Sequence, residues 1–206
     1  MRVLVIVARR YNGHELWVTL GRLQQEGLLF EVVSSTNIIM DEVTFEANSI
    51  KRTLADIEPE VEVAAFDGLL IVSGNMQDTE AYWTNRTVLR LVELFNQQEK
   101  PIGAICCSVP TVRFAAEGKK VSFFPLVRSR QLLKQAKAIL TTVTCTVDGN
   151  LVTAEHQMAT QMWIAAFIQV LRGEKPELNL HDSGFVPRGR PRKPVPEVEH
   201  FLKKTH

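Results

Sequence analysis

The sequence predicts an α/β sandwich, with a mostly parallel central sheet of about six strands and helices on both faces. Three observations carry this. Apolar runs rich in Val, Ile and Leu occupy residues 3–8, 28–33, 68–72 and 101–105. Apart from the second, which Glu31 interrupts, they are continuous rather than alternating, as strands buried on both faces are. Between them lie segments with apolar residues at helical spacing, such as Leu16, Leu20 and Leu23, or Val88, Leu91, Val92 and Phe95. The composition, 45% hydrophobic and 23% charged over 206 residues, suits one large core.

The elements follow in order. Residues 3–8 read as a central parallel strand. Asn12 and Gly13 signal a turn, residues 14–25 a helix, and Gly27 its stop. Residues 28–33 are the second strand. Residues 38–40 and 43–45 suggest a short side ribbon, and residues 50–57 a helix. Residues 68–72 form the third buried strand, which ends at Ser73, Gly74 and Asn75. Residues 85–98 make an amphipathic helix. Pro101 opens the next strand, where its missing donor costs least. A helix begins near Val109 and Pro110, because proline suits a first helical turn, and runs over 111–117. A short segment at 121–123 and a helix at 128–137 follow. Residues 139–147 and 151–153 read as strands joined at Asp148, Gly149 and Asn150, a strong hairpin signal. Residues 158–171 close the domain as a helix capped by Gly173.

Residues 1–173 thus make one domain. Residues 174–206 differ, with five of the nine prolines and a basic cluster at Arg188, Arg190, Arg192 and Lys193. They are expected to form an irregular extension packed on the domain or on a neighbouring subunit. A formal net charge of +1 gives no global steering toward nucleic acid or an acidic membrane. No apolar run reaches membrane-spanning length, and no leader is read ahead of the first strand. Three cysteines, two of them adjacent, argue against a disulfide framework and for a reducing, cytoplasmic setting.

The chemistry is expected where the strands end, since open α/β sheets place ligands at the carboxyl edge. Cys106 ends its strand there, and the positive end of the next helix would favour its thiolate. Glu15, one short loop after the first strand, opens on the same edge and would hold the thiol. The backbone N–H groups of Gly74, Asn75 and Cys107 are candidates for an oxyanion hole. His156 follows the last strand and is the candidate base, histidine being the side chain poised to take a thiol proton near neutral pH. Cys145 lies within a strand. No metal or cofactor is expected.

Taken together these residues resemble the ThiJ/PfpI superfamily, which shares its flavodoxin-like three-layer sandwich with class I glutamine amidotransferases. Gly103, Ala104, Ile105 and Cys106 are similar to its nucleophile elbow, and Glu15 stands where its thiol-contacting glutamate does. Residues 66–74 resemble the stretch before its Pro-Gly-Gly turn, and residues 148–154 its Asp-Gly-Asn-Leu-Val-Thr strand. The resemblance implies a strained Cys106 used on a small carbonyl or amide compound, in glyoxalase, deglycase or hydrolase fashion, and a homodimer. The alternative it implies is a non-catalytic, stress-protective redox sensor with an oxidisable Cys106. Two positions where relatives carry histidine hold Cys107 and Phe124 instead, and the Pro-Gly-Gly turn has become Ser73, Gly74 and Asn75. The tail run from Arg188 to Lys193 resembles an AT-hook, whose extended cationic side chains suit the narrow minor groove of AT-rich DNA.

Overall fold

The computed structural model describes residues 1–176. Twelve strands alternate with six α-helices. The strands are β1 (Arg2–Val7), β2 (Arg10–Tyr11), β3 (Leu29–Ser34), β4 (Ile38–Asp41), β5 (Ala47–Ser49) and β6 (Arg52–Thr53). The remainder are β7 (Gly68–Val72), β8 (Ile102–Ile105), β9 (Lys120–Val121), β10 (Ile139–Leu140), β11 (Cys145–Asp148) and β12 (Leu151–Ala154). The helices are α1 (Gly13–Gln25), α2 (Pro59–Ala65), α3 (Met76–Tyr82), α4 (Arg86–Gln97), α5 (Val127–Gln135) and α6 (Thr160–Leu171).

Seven strands make the central sheet, in the order β11-β12-β8-β7-β1-β3-β6. Six run parallel, and β11 alone is antiparallel, tied to β12 by the turn at Asp148–Asn150. The pleat of β1 shows why it is apolar throughout. Val3, Val5 and Val7 face α1 and α6, while Leu4, Ile6 and Ala8 face α2, α4 and α5. Each is fully buried, worth roughly 1.5–3 kcal/mol for a Val, Leu or Ile side chain. One core therefore lies on each face of the sheet, which is the expected flavodoxin-like sandwich. Trp163 and Phe167 of α6 fill the first core, and Val88, Leu91, Val92 and Phe95 of α4 fill the second.

Several local expectations are corrected. Residues 50–57 are not a helix but the edge strand β6 and a 3-10 turn at Leu54–Asp56. Arg52 reaches Glu31 at 3.0 Å and Glu62 at 2.5 Å from an extended backbone, and Asp56 accepts from Thr53 N–H and Oγ at 2.8 Å each. In the side ribbon, β4 pairs with β5 rather than with residues 43–45. Asp41 Oδ1 accepts from Val43 N–H (2.8 Å) and Thr44 N–H (3.1 Å), which makes those residues a turn. The strand expected over 139–147 is broken into β10 and β11, with residues 141–144 between them. Helices α2 and α3, seven residues each, were not expected. The tail's expected packing and its AT-hook-like run fall mostly on residues 177–206, outside the described residues.

Candidate functional site

Strand β8 ends in extended backbone at Ile105, and the chain then turns through Cys106, whose φ is +58°. That left-handed conformation costs a side-chain-bearing residue about 1–2 kcal/mol. Neighbours hold it in place. Ser108 Oγ accepts from Ile105 N–H at 3.0 Å and lies 2.7 Å from the carbonyls of Ile71 and Ile105, either of which can take its proton. Trp83 Nε1 donates to the Cys107 carbonyl at 2.9 Å, and Arg113 donates to the Trp83 carbonyl at 2.6 Å. Behind the turn, a Cβ on Gly103 would come 2.5 Å from Leu70 and 3.0 Å from Trp163, so only glycine lets α6 lie on β8.

The helix after the turn is a 3-10 helix over Cys106–Ala115. It starts at the thiol itself and not at Val109, because Ser108 closes the first turn. Pro110 sits inside it, where it removes a donor that an α-helix would need.

Asn12 caps α1 by accepting from Glu15 N–H at 3.1 Å, which turns the Glu15 side chain inward. Glu15 is wholly buried. Its Oε2 accepts from Ser73 N–H (2.9 Å) and Ser73 Oγ (2.7 Å), while its Oε1 has no protein partner. Burial first, and the nearby Cys106 second, hold this carboxyl well above the usual carboxylate range, against the Ser73 donors that pull it down. The Glu15 carboxyl is thus biased toward its neutral form, and Oε1 is its oxygen without a protein partner.

The two thiols are neighbours in space as well as in sequence. Cys106 Sγ lies 3.6 Å from Cys107 Sγ. The hydrogen bond from Cys106 draws the Cys107 thiol down, while Cys107 and burial push Cys106 up. The pair thus shares one readily lost proton, and the second is held tightly. The nearby Ser73 side chain and Cys107 backbone favour the charged form of Cys106. Cys106 is half-buried and Cys107 is 6% exposed, so an incoming molecule meets Cys106 first.

The other expected residues are placed differently. Gly74 N–H donates to Thr79 Oγ1 at 3.1 Å, and Asn75 N–H to the Arg10 carbonyl at 2.7 Å. Asn75 Oδ1 caps α3. Their donors are therefore spent within the loop, and the expected oxyanion role loses both. His156 caps the turn at Gln157–Ala159, its Nδ1 accepting from Met158 N–H at 3.2 Å. Among the described residues no hydrogen bond joins it to Cys106. Ser73, read from sequence only as part of a turn, is the residue that touches both Glu15 and Cys106.

Asn12 ties the rim together. Its Nδ2 donates to Glu42 Oε1 at 3.1 Å and to Gln157 Oε1 at 2.5 Å, and its N–H donates to the Ser73 carbonyl at 3.1 Å. Burial raises the Glu42 carboxyl, and Glu42 and Glu80 work against a thiolate at Cys107. The surroundings are acidic, which disfavours an anionic ligand. Among the described residues no cluster of three or more His, Cys, Asp or Glu side chains could hold a metal, and no helix is long and apolar enough to cross a membrane.

Fold and site together define an α/β protein with a strained cysteine at the carboxyl edge of its sheet and a buried carboxyl beside it. The sequence matches the DJ-1/PfpI family over residues 1–170, and the chain belongs to that family. It is 28% identical over 155 residues to an uncharacterized protein of Methanocaldococcus jannaschii, covering 74% of this chain and 73% of that one. It is 26% identical over 188 residues to protein DJ-1 homolog D of Arabidopsis thaliana, covering 84% of this chain but only 48% of that protein. Among solved structures, a ThiJ/PfpI domain protein from Brachyspira murdochii superposes with a TM-score of 0.73 at 17% identity, over 84% of this chain and 98% of that one. DJ-1 of Schizosaccharomyces pombe gives 0.71 at 16% identity, over 86% and 93%. These two likenesses speak for the fold.

Proposed function

We propose that this chain is a cysteine-dependent enzyme acting on a small, neutral carbonyl compound in glyoxalase or deglycase fashion. The observation that carries the reading is Glu15: a buried carboxyl biased toward its neutral form, with one oxygen lacking a protein partner, next to a strained thiol to which no imidazole among the described residues is hydrogen-bonded. An amidase needs a group to protonate a departing amine, commonly an imidazole, and His156 is engaged elsewhere. Addition to an aldehyde needs less. The Cys106 thiolate attacks the carbonyl carbon, and the resulting alkoxide takes the Glu15 proton, giving a hemithioacetal. With a 2-oxoaldehyde, the Glu15 carboxylate then takes the proton from C1 and returns it to C2, and the C1 hydroxyl proton passes to the C2 oxygen, which converts the adduct to a thioester of a 2-hydroxy acid. Water releases a 2-hydroxy acid and restores the thiol. The acidic surroundings favour a neutral substrate such as methylglyoxal over an anionic one.

Methylglyoxal consumption, followed by proton NMR beside a panel of small aldehydes and amides, tests this. Turnover is expected with the native chain, is lost in Cys106→Ser, and falls about 10²–10⁴-fold in Glu15→Gln. A panel left unconsumed, or turnover that survives Cys106→Ser, overturns the proposal. Family resemblance adds a homodimer to it, and the odd number of cysteines, two of them adjacent, a reducing cytoplasmic setting. Light scattering on the purified chain checks the first.

A further inference from the structure

Adjacent side chains normally diverge, by about 100° along a helix and about 180° along a strand. Cys106 and Cys107 do not, because the left-handed turn at Cys106 swings its sulfur to the same side as that of Cys107, 3.6 Å away. A buried thiol held against a half-exposed one, with its main chain pinned by Trp83, is placed to react with whatever forms on its neighbour. Cys145, the third cysteine, is buried, and no hydrogen bond joins it to either sulfur.

We propose that Cys107 is a resolving thiol, which captures oxidised Cys106 as a vicinal disulfide and shields it from irreversible oxidation. The oxidant is a hydroperoxide. A thiolate at Cys106 attacks its terminal oxygen, the O–O bond breaks, and the leaving alkoxide or hydroxide takes the proton from Glu15. Cys106 is then a sulfenic acid. The Cys107 thiol passes its proton to the Glu15 carboxylate and attacks that sulfur, the S–O bond breaks, and the departing hydroxide takes that proton back from Glu15 and leaves as water. In sum, two thiols and one hydroperoxide give one disulfide, one alcohol or water, and one water. The two Cα atoms are only about 3.8 Å apart, against roughly 4.4–6.8 Å in ordinary disulfides, so the ring is strained and easily reduced. Strain of this kind makes the step a reversible switch rather than a permanent link. The inference needs a reactive Cys106 but no carbonyl chemistry, so either proposal can fail without the other.

The test is intact-mass and peptide mapping of the full chain after hydrogen peroxide in small molar excess, enough for two oxidation steps at one thiol. The native chain is expected to lose two hydrogens, to show the link between Cys106 and Cys107 within one peptide, and to recover both thiols with dithiothreitol. Cys107→Ser is expected to gain two oxygens at Cys106 about tenfold faster than the native chain and not to recover. Cys145→Ser is expected to behave as native. Sulfinic acid building up equally fast in the native chain and in Cys107→Ser overturns the proposal, as does a disulfide mapped to Cys145 or between two chains. If Cys107→Ser does not fold, the mapping of the native chain and of Cys145→Ser decides alone.

Discussion

Replacing Glu15 by glutamine tests the electrostatic account of the site through stability alone. In the native fold the carboxyl is raised well above its ordinary value by burial. The sign follows from proton linkage. Above the unfolded carboxylate pKa of about 4.3, the unfolded chain releases this proton and the folded chain keeps it. The folded state then binds more protons, so its stability falls as pH rises, until the folded pKa is passed. For one group the slope is at most about 1.4 kcal/mol per pH unit. Glutamine keeps a carbonyl for the Ser73 N–H and hydroxyl, places an amide where Oε1 stands, and does not titrate. Glu15→Gln should therefore gain on the native chain by up to about 1.4 kcal/mol for each unit above pH 4.3. For a chain of this length that is about 3–6 °C in Tm per unit. Urea titrations at a series of pH values from 5 to 7.5 measure it. A stability difference flat across that series would show that the buried group folds as a carboxylate, and the proton-donor role in catalysis would go with it.

Two further outcomes follow from the backbone around the site. Gly74→Ala places a Cβ 2.0 Å from the Arg10 carbonyl oxygen and 2.6 Å from Tyr11 Cα, both main-chain atoms, so urea unfolding should show a loss of at least about 1–3 kcal/mol. Cys106→Gly should unfold about 1 kcal/mol later than Cys106→Ala, because glycine carries a φ of +58° without the clash that alanine keeps; equal stabilities would mean that the turn is unstrained.

The legible parts of the fold were those with a continuous signal. The runs that became β1, β7 and β8 are apolar on both faces, Val32 and Val33 mark β3, and the long helices α1 and α4 announce themselves by their caps at Asn12 and Asn85 as well as their spacing. Helices α2 and α3 span two turns each, too few for a period to stand out. Arg52 looks helical until its partners Glu31 and Glu62 are known, and they come from elsewhere in the chain. The site divides in the same way. Cys106, Cys107 and Glu15 are brought together where the strand order predicts. Ser73 was overlooked because a serine in a turn is unremarkable until the carboxyl 58 positions earlier is seen to accept from it twice. The sequence alone leaves the donors of Gly74 and Asn75 free for a ligand, but Thr79 and Arg10, invisible as partners in sequence, already hold them. Glycine at position 74 answers to the close approach of a neighbouring main chain, not to an unusual φ.

The two margins of the central sheet carry a different lesson. One is β6, two residues long and bearing Arg52; the other is β11, which runs against its neighbour and whose Thr146 hydroxyl lies 2.6 Å from Ser122. Neither presents a long, straight row of unpaired amides on which a foreign chain could continue the ladder. The rim of the central sheet is accordingly a poor place for a second molecule to continue the ladder, and destabilised variants should precipitate through opened cores rather than by growing ribbons from that rim while it is intact.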